Sequence, residues 1–250
     1  MSNSSTDEVV LYAFAEGLAT FTLNRPAARN ALNGAMCAGL AAACRRAIAD
    51  EAKLVFVRAN GPVFCAGADL KERQGMDEDQ VRARRLRAFA AYAALESLPM
   101  PAIAVVHAAA IGSGCEIAAA CDFIIATPAA SFRTPEALWG TVGATQRLPR
   151  VLGKRLAKDL MFTGRALSAE EAERHGLVAR LVPAAELEAV LAGIAKTILA
   201  APVAGLRYAK ACVDRGVELD PRGALAVELL AIEDNLATQD WQAGIRKFGE

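Results

Sequence analysis

The pattern of hydrophobic and polar positions at the start of the chain predicts a strand–strand–helix unit. Two short runs rich in β-branched and aromatic residues, 8–14 and 18–24, are separated by Glu16-Gly17, which is typical of a hairpin. Apolar side chains then recur about every fourth residue from Leu32 to Ile48, where Asn33 can cap a helix. We therefore expect two strands followed by a helix.

Buried strands and helices continue to alternate up to about residue 183. Continuous apolar runs predict strands, whereas amphipathic or capped runs predict helices. The predicted strands cover 53–59, 102–107, 122–127 and 131–134. The predicted helices cover 77–98 and 149–162, and another begins at the capping box Ser168-x-x-Glu171. This alternation indicates an α/β fold.

After Pro183 the strand pattern stops. Three or four helices are predicted there, at about 186–200, 203–215, 222–237 and 240–248. Their apolar positions favour either packing against the chain's own core or a subunit interface. We expect three parts: a disordered tail over 1–7, a core over 8–185, and a helical region over 186–250 that covers the core and forms oligomer contacts.

The amino-acid composition predicts a folded protein and argues against general binding to nucleic acid or to membranes. The 250 residues are 54% hydrophobic and only 22% charged, which is typical of a folded chain. The 28 basic and 28 acidic side chains give no net charge, so no general attraction to nucleic acid or to a membrane surface is expected. Polar residues interrupt the most apolar stretch, 102–121, and the N-terminus lacks a secretory pattern. We expect a cytoplasmic protein without a membrane span.

Cysteine, histidine and arginine positions argue against two other classes. The six cysteines form no CxxC pair and the two histidines lie far apart, so no metal site is expected. Four arginines cluster on the predicted helix 77–98, which raises the alternative of RNA binding. Because three acidic residues precede this cluster and few aromatics interleave it, nucleic acid is not expected as a partner. The four arginines are Arg82, Arg84, Arg85 and Arg87.

Three glycine-containing turns, 64–70, 111–116 and 139–145, each follow a predicted strand. Turns at the ends of buried strands are where α/β proteins commonly bind ligands. Gly112-x-Gly114 also matches the start of a dinucleotide-binding loop, but Ile117 takes the place of the third glycine. Close packing of a helix against a strand explains these small residues equally well.

Two glutamates are candidates for proton transfer. Glu116 lies within an apolar Gly/Ala stretch, and Glu136 follows Thr134-Pro135 after a strand. Burial would raise the pKa of such a carboxyl toward the range useful for general acid–base catalysis. Alternatively, Glu116 pairs with a core arginine and Glu136 is solvated at a helix N-terminus. Spacing alone leaves these alternatives open.

From about Val10 to Phe248 the chain resembles the enoyl-CoA hydratase/isomerase, or crotonase, superfamily. The motifs that carry the resemblance are the CoA-contacting stretch 24–32, the two oxyanion-hole turns 64–72 and 112–116, and the acid-bearing segment Pro135-Glu136 with 145–148. Glu116 and Glu136 lie 20 residues apart, which is similar to the hydratase branch.

The resemblance implies a crotonase-like spiral of repeated ββα units with a C-terminal helical region. It implies hydration of a 2-enoyl-CoA thioester, with Glu116 as the base toward water and Glu136 as the acid toward C2. The backbone N–H groups of Ala68 and Ser113 would form the oxyanion hole. No cofactor is implied beyond the coenzyme A of the acyl-CoA substrate, and the implied assembly is a homotrimer or a hexamer built as a dimer of trimers.

The resemblance also implies a set of substrate-binding residues. They are Arg25, Arg29, Ala66, Asp69, Leu70, Lys71, Gly114 and Trp139. We favour Arg29 over Arg25 for the CoA phosphates, and expect Asp69 mainly to fix its turn. The loop 140–145 is shorter than in typical hydratases and lacks their proline. An isomerase, a hydroxyacyl-CoA dehydratase, a hydrolase or a non-catalytic acyl-CoA-binding relative is therefore kept as an alternative.

Overall fold

The structure, a computed structural model, describes residues 8–238 and 240–246. The tail predicted over 1–7 lies outside these residues. The strands are β1 (Val10–Ala15), β2 (Leu18–Leu23), β3 (Leu54–Ala59), β4 (Ala102–Val106), β5 (Ala110–Ile111), β6 (Phe123–Ala126), β7 (Ser131–Arg133), β8 (Leu167–Ser168) and β9 (Arg180–Leu181). The α-helices are α1 (Gly34–Ala49), α2 (Glu78–Glu96), α3 (Ser113–Ala119), α4 (Arg147–Thr163), α5 (Ala169–Arg174), α6 (Leu187–Ala200), α7 (Val203–Gly216), α8 (Pro221–Thr238) and α9 (Asp240–Arg246).

The strands form two sheets. The larger has the order β1-β2-β3-β4-β6-β9, in which β1 and β2 are antiparallel and the other pairs are parallel. The smaller has the order β5-β7-β8. The predicted strand–strand–helix unit at the start of the chain is confirmed as β1, β2 and α1.

Both faces of the larger sheet are covered. In β3, Val55 and Val57 belong to one buried cluster, which also contains Leu40 of α1. The alternate residues Leu54 and Phe56 belong to a second cluster on the opposite face. Successive side chains of a strand point to opposite faces, so a strand covered on both sides is apolar throughout. This explains the continuous apolar run that predicted the strand.

Side-chain caps fix the helix starts that matter for the site. The Asn33 carboxamide oxygen accepts a hydrogen bond from the Met36 N–H at 2.9 Å, as predicted for the start of α1. Asp77 and Gln80 form a reciprocal capping box at the start of α2. Helix α4 begins at Arg147, earlier than the predicted 149, so Arg147 belongs to its first turn.

Two alternatives were raised for the apolar positions of the C-terminal helices, packing against the core or a subunit interface. The helices differ in this respect. Leu187, Leu191 and Ile194 of α6 are buried in the second cluster and therefore cover the larger sheet. In contrast, α7 and α8 have no buried residue within the described chain. Five apolar side chains of α8 are roughly half or more exposed: Leu225, Leu229, Leu230, Ile232 and Leu236.

No single helix in the described residues is long and apolar enough to cross a membrane. Helices α6 and α7 meet the length and composition together only as a pair bent by 103°.

All six cysteines are free thiols. Five are buried, and Cys212 on α7 is partly exposed. Burial raises the pKa of Cys44 and of Cys65 to about 12, so these thiols stay protonated at neutral pH.

Candidate active site

Two of the three glycine turns lie side by side. The backbone of Cys65 pairs with Ala110, and the Ile111 N–H donates to the Cys65 carbonyl at 2.9 Å. This approach requires glycine at 114, because a Cβ there would lie 2.5 Å from the Cys65 carbonyl oxygen. The 64–70 turn and the start of α3 are therefore in direct contact.

Each of these turns presents a backbone N–H without an acceptor. At the first turn, the Leu32 N–H donates to the Gly67 carbonyl at 2.7 Å and the Asp69 N–H donates to the Leu32 carbonyl at 2.9 Å. Between them, the Ala68 N–H has no partner within the described residues. Ser113 opens α3, and its N–H likewise meets no acceptor in the part of the chain described. Both residues line one cleft.

Glu116 lies in the first turn of α3 with its side chain only 7% exposed. Its Oε2 accepts a hydrogen bond from an Arg147 guanidinium nitrogen at 2.7 Å. Burial raises the pKa of Glu116, while the hydrogen bond and charge of Arg147 act in the opposite direction. Thus an ion pair with a partly buried arginine is present, as in one of the two alternatives, and Glu116 still faces the cleft.

Arg147 is itself held from two further sides. Its other terminal nitrogen donates to Glu96 at 2.7 Å, and its guanidinium lies 5.6 Å from the centre of the Tyr92 ring. Although burial acts in the opposite direction, the hydrogen bonds to Glu96 and Glu116 raise the pKa of Arg147. Arg147 therefore remains a fixed positive charge beside Glu116.

Glu136 has a different environment. It lies on a short 3-10 helix, Glu136–Trp139, and its Oε2 is shielded from solvent without a hydrogen-bond partner in the described structure. Burial raises the pKa of Glu136, and repulsion from Glu116 raises it further. The Glu136 backbone N–H and the charges of Arg73 and Arg85 offset this rise in part. A carboxyl in this setting favours its protonated form.

Gly112 allows Glu136 to approach α3. A Cβ at residue 112 would lie 2.2 Å from Glu136 Oε1, which no real contact permits. Gly112 also has a φ of +50°, in the left-handed region that favours glycine. The glycine that resembled a dinucleotide loop therefore leaves space for the second carboxylate.

The cleft between the turns has one wall from α2 and another from residues 135–144. Arg85 of α2 joins these walls by donating to the Val142 carbonyl and to the Thr141 hydroxyl. Three of the predicted substrate-binding residues, Ala66, Leu70 and Trp139, line the cleft together with both glutamates. Two of these, Leu70 and Trp139, are more than half exposed.

Arg25 and Asp69 contact each other. Both terminal nitrogens of the Arg25 guanidinium lie 3.1 Å from Asp69 Oδ2, and Asp69 Oδ1 accepts from the Lys71 N–H at 3.1 Å. Burial opposes ionisation of Asp69, but the hydrogen bonds and charge of Arg25 keep its pKa below the ordinary value. This pair fixes the first turn. By contrast, Arg29 and Lys71 are exposed and have no side-chain partner among the described residues.

The four arginines of α2 do not form one solvent-facing patch. Arg84 is 3% exposed and binds Glu72 from its Nε at 2.6 Å. Arg85 faces the cleft, and exposed Arg82 pairs with Asp79. These three side chains therefore have three different environments.

Sequence reasoning missed four side chains of the site. Arg73, Arg85 and Tyr92 line the cleft, and Arg147 binds Glu116. The sequence indicated the Arg147–Glu116 contact in part, because Arg147 lies in the 145–148 motif and a core arginine was one alternative for Glu116. The others depend on contacts between distant segments that no local pattern reports. Among the described residues, no group of three or more His, Cys, Asp or Glu side chains is suited to hold a metal ion.

The sequence profile described as enoyl-CoA hydratase/isomerase matches residues 13–250. The chain belongs to the enoyl-CoA hydratase/isomerase family. A curated relative in this family is the bovine (Bos taurus) enoyl-CoA hydratase domain-containing protein 2, mitochondrial. It is 38% identical over 247 residues, covering 94% of this chain and 82% of the relative.

Solved structures confirm the fold expected for an enoyl-CoA hydratase/isomerase. The enoyl-CoA hydratase from Bacillus anthracis aligns with a TM-score of 0.91 and 36% identity, over 96% of this chain and 95% of that one. A Thermobifida fusca protein solved in complex with acetoacetyl-CoA aligns with a TM-score of 0.84 and 28% identity, over 92% and 96% of the two chains. The mixed α/β core and the C-terminal helical region are thus those of the crotonase fold.

Proposed function

We propose that this family member is an enoyl-CoA hydratase, which adds water across the double bond of a 2-enoyl-CoA thioester. The observation that carries the proposal is the opposite environment of two carboxyls in one cleft. Arg147 pairs with Glu116, whereas Glu136 has a buried oxygen without a partner in the described chain. Addition of water by general acid–base catalysis needs one ionised and one protonated group, which these environments favour.

The backbone N–H groups of Ala68 and Ser113 supply the oxyanion hole in this proposal. Attack of water at C3 moves negative charge onto the thioester oxygen, so donors placed at that oxygen stabilise the transition state. Both N–H groups are unpaired within the described residues and line the cleft with the two glutamates. One such donor contributes about 3–4 kcal/mol in comparable sites.

The proposed reaction is a balanced addition of one water. Glu116 removes a proton as the water oxygen bonds to C3, and the electron pair of the double bond moves toward the thioester. Glu136 then delivers its proton to C2, which yields a 3-hydroxyacyl-CoA. Transfer of the proton from Glu116 back to Glu136 through solvent restores the starting state. The reaction transfers no electrons, so the proposal includes no cofactor other than the coenzyme A of the substrate.

Arg29 and Lys71 are the proposed contacts of the CoA phosphates. Both flank the first turn, and both are exposed without a side-chain partner in the described residues. The Thermobifida fusca structure holds acetoacetyl-CoA, which supports an acyl-CoA ligand here. Arg25 acts on the substrate indirectly in this proposal, because its ion pair with Asp69 fixes the turn.

Turnover of crotonyl-CoA tests the proposed function. We expect loss of the ultraviolet absorbance of the conjugated double bond and formation of a product heavier by one water. Conversion of a 3-enoyl-CoA to its conjugated isomer without hydration would instead identify an isomerase. Binding of crotonyl-CoA without any product would leave a non-catalytic acyl-CoA-binding protein.

We also propose a homotrimer or a dimer of trimers, with the exposed apolar face of α8 at the subunit contacts. The cytoplasmic location stays a prediction from the sequence.

A further inference from the structure

Arg73 lines the cleft but takes no part in the proposed hydration. It lies between the first turn and α2, and it lines the cleft together with Glu136. Its Nε is shielded from solvent and has no hydrogen-bond partner among the described residues. Its guanidinium forms no ion pair within residues 8–238 and 240–246. A buried donor without an acceptor is costly, so an external acceptor at this position would be favourable.

The other arginines of the cleft are already bound by the protein. Arg84 forms an ion pair with Glu72 and also donates to the Leu32 carbonyl. Arg85 donates to a backbone carbonyl and to the Thr141 hydroxyl. Unlike these two neighbours, the Arg73 side chain donates no hydrogen bond to any described residue.

The arginines of the cleft lie close enough to repel one another. Glu72 pairs with Arg84, whereas neither Arg73 nor Arg85 forms an ion pair within the described residues. The charge of Glu136 acts on Arg73, but the proposed reaction needs Glu136 in its protonated form. Burial lowers the pKa of Arg73, and the charges of Arg84 and Arg85 lower it further. Binding of an anion would relieve this repulsion.

We propose that Arg73 binds a carboxylate at the far end of the acyl group, so that the preferred substrates are CoA thioesters of unsaturated dicarboxylic acids. This inference rests on the proposed function, because it assumes that the cleft holds the acyl group. The planar guanidinium can donate two parallel hydrogen bonds to a carboxylate, which a neutral acyl terminus cannot accept.

The position of Arg73 favours the acyl group over the phosphates of coenzyme A. Arg73 lines the same cleft as Pro135, Glu136 and Thr141, and its charge acts on the second acid, Glu136. Arg29 and Lys71, the proposed phosphate contacts, do not line that cleft. Affinity for free coenzyme A therefore separates the two possibilities.

The experiment compares two esters of equal carbon number, glutaconyl-CoA with a terminal carboxylate and 2-pentenoyl-CoA without one. The variants are Arg73→Met, Arg73→Lys and the control Arg87→Met, which removes an exposed charge of α2 away from the cleft. We expect Arg73→Met to lower kcat/KM for glutaconyl-CoA by about 10- to 100-fold, the range for loss of a charged hydrogen-bond partner. We expect 2-pentenoyl-CoA turnover to be unchanged or faster, Arg73→Lys to be intermediate, and Arg87→Met to match the wild type.

Calorimetry with the saturated esters glutaryl-CoA and pentanoyl-CoA tests the carboxylate contact without requiring turnover. Tighter binding of glutaryl-CoA that Arg73→Met abolishes supports the proposal even if no ester is hydrated, in which case the hydratase function fails alone. Equal binding of the two esters by the wild type overturns the proposal. An equal loss of affinity for free coenzyme A in Arg73→Met also overturns it, because the arginine would then bind phosphate.

Discussion

Glu116 and Glu136 face the same cleft, but of the two only Glu116 forms an ion pair within the described residues. Burial raises the pKa of both carboxyls, but a hydrogen bond from Arg147 opposes this rise at Glu116, whereas repulsion from Glu116 adds to it at Glu136. Environments that separate two carboxyls in this way assign a base and an acid to them. In the proposed mechanism this difference makes Glu116 the base and Glu136 the acid, a division that spacing alone could not provide.

Replacing either glutamate by glutamine tests the two-acid mechanism. Glutamine keeps the size of the side chain but cannot transfer a proton, so kcat should fall by about 10²- to 10⁴-fold with little change in ester affinity. The double variant should lose far less than the product of the single losses, because the two groups act together. Steady-state kinetics and calorimetry measure these effects. Wild-type turnover by both single variants would contradict the mechanism.

Arg147→Met tests the electrostatic role of the ion pair. Arg147 lowers the pKa of Glu116 against burial, so its removal should raise that pKa. The base must be ionised, and the acidic limb of the kcat/KM profile should therefore move to higher pH. Arg150→Met is the control, because Arg150 is an exposed arginine one turn along α4 that pairs with Glu218. An unchanged acidic limb in Arg147→Met would show that the pair is only structural.

At the scale of elements, the site depends on the close approach of α3 to the 3-10 helix that carries Glu136. Gly112→Ala should displace Glu136, since the added Cβ would lie 2.2 Å from Oε1. A displacement of about 1 Å can cost about 100-fold in rate, so we expect at least that loss in kcat/KM. Gly176→Ala is the matched control: its φ is +77°, but no atom lies within 4 Å of the added Cβ. Comparable activity in the two variants would argue against this geometry.

The long elements were predictable from sequence, whereas the shortest were not. Repeating apolar positions and side-chain caps located α1 and α2, and continuous apolar runs located β3 and β4. The two-residue strands β5, β8 and β9 were missed, because a period cannot be read from two positions and their pairing is set by distant strands. The boundary of α4 was placed late, at Pro149, although Arg147 already belongs to the helix.

The candidate site was predictable where its signal is local. Glycines at the turns and two glutamates in apolar surroundings drew attention to the cleft. The contact of Arg147 with Glu116 joins residues 31 positions apart, and Arg85 meets Thr141 across 56 positions. Such contacts depend on the packing of whole elements, so one sequence cannot specify which arginine meets which partner.

At the scale of the whole molecule, α8 presents an apolar face that nothing in the described chain covers. Leu230 is 68% exposed, and we expect this face to be buried in a trimer or hexamer. Leu230→Asp should dissociate the assembly, whereas Ile48→Asp, on α1 and 50% exposed, should not. Multi-angle light scattering with circular dichroism separates dissociation from unfolding. A wild-type monomer of 26.2 kDa that persists at high concentration would refute the expectation.

Because the cysteines are unequally buried, the rate at which each thiol is labelled can report on the conformation of the protein. A thiol reagent meets one partly exposed side chain, Cys212, in the folded chain, and six after unfolding. Because Cys65 is buried in the first turn, its labelling rate would follow the local opening of that turn. Bound substrate analogues should slow labelling at Cys65 while leaving Cys212 unaffected. Mass spectrometry of the labelled peptides would therefore measure, from the labelling of Cys65, how much of the protein has ligand bound in the cleft, and no mutation is needed.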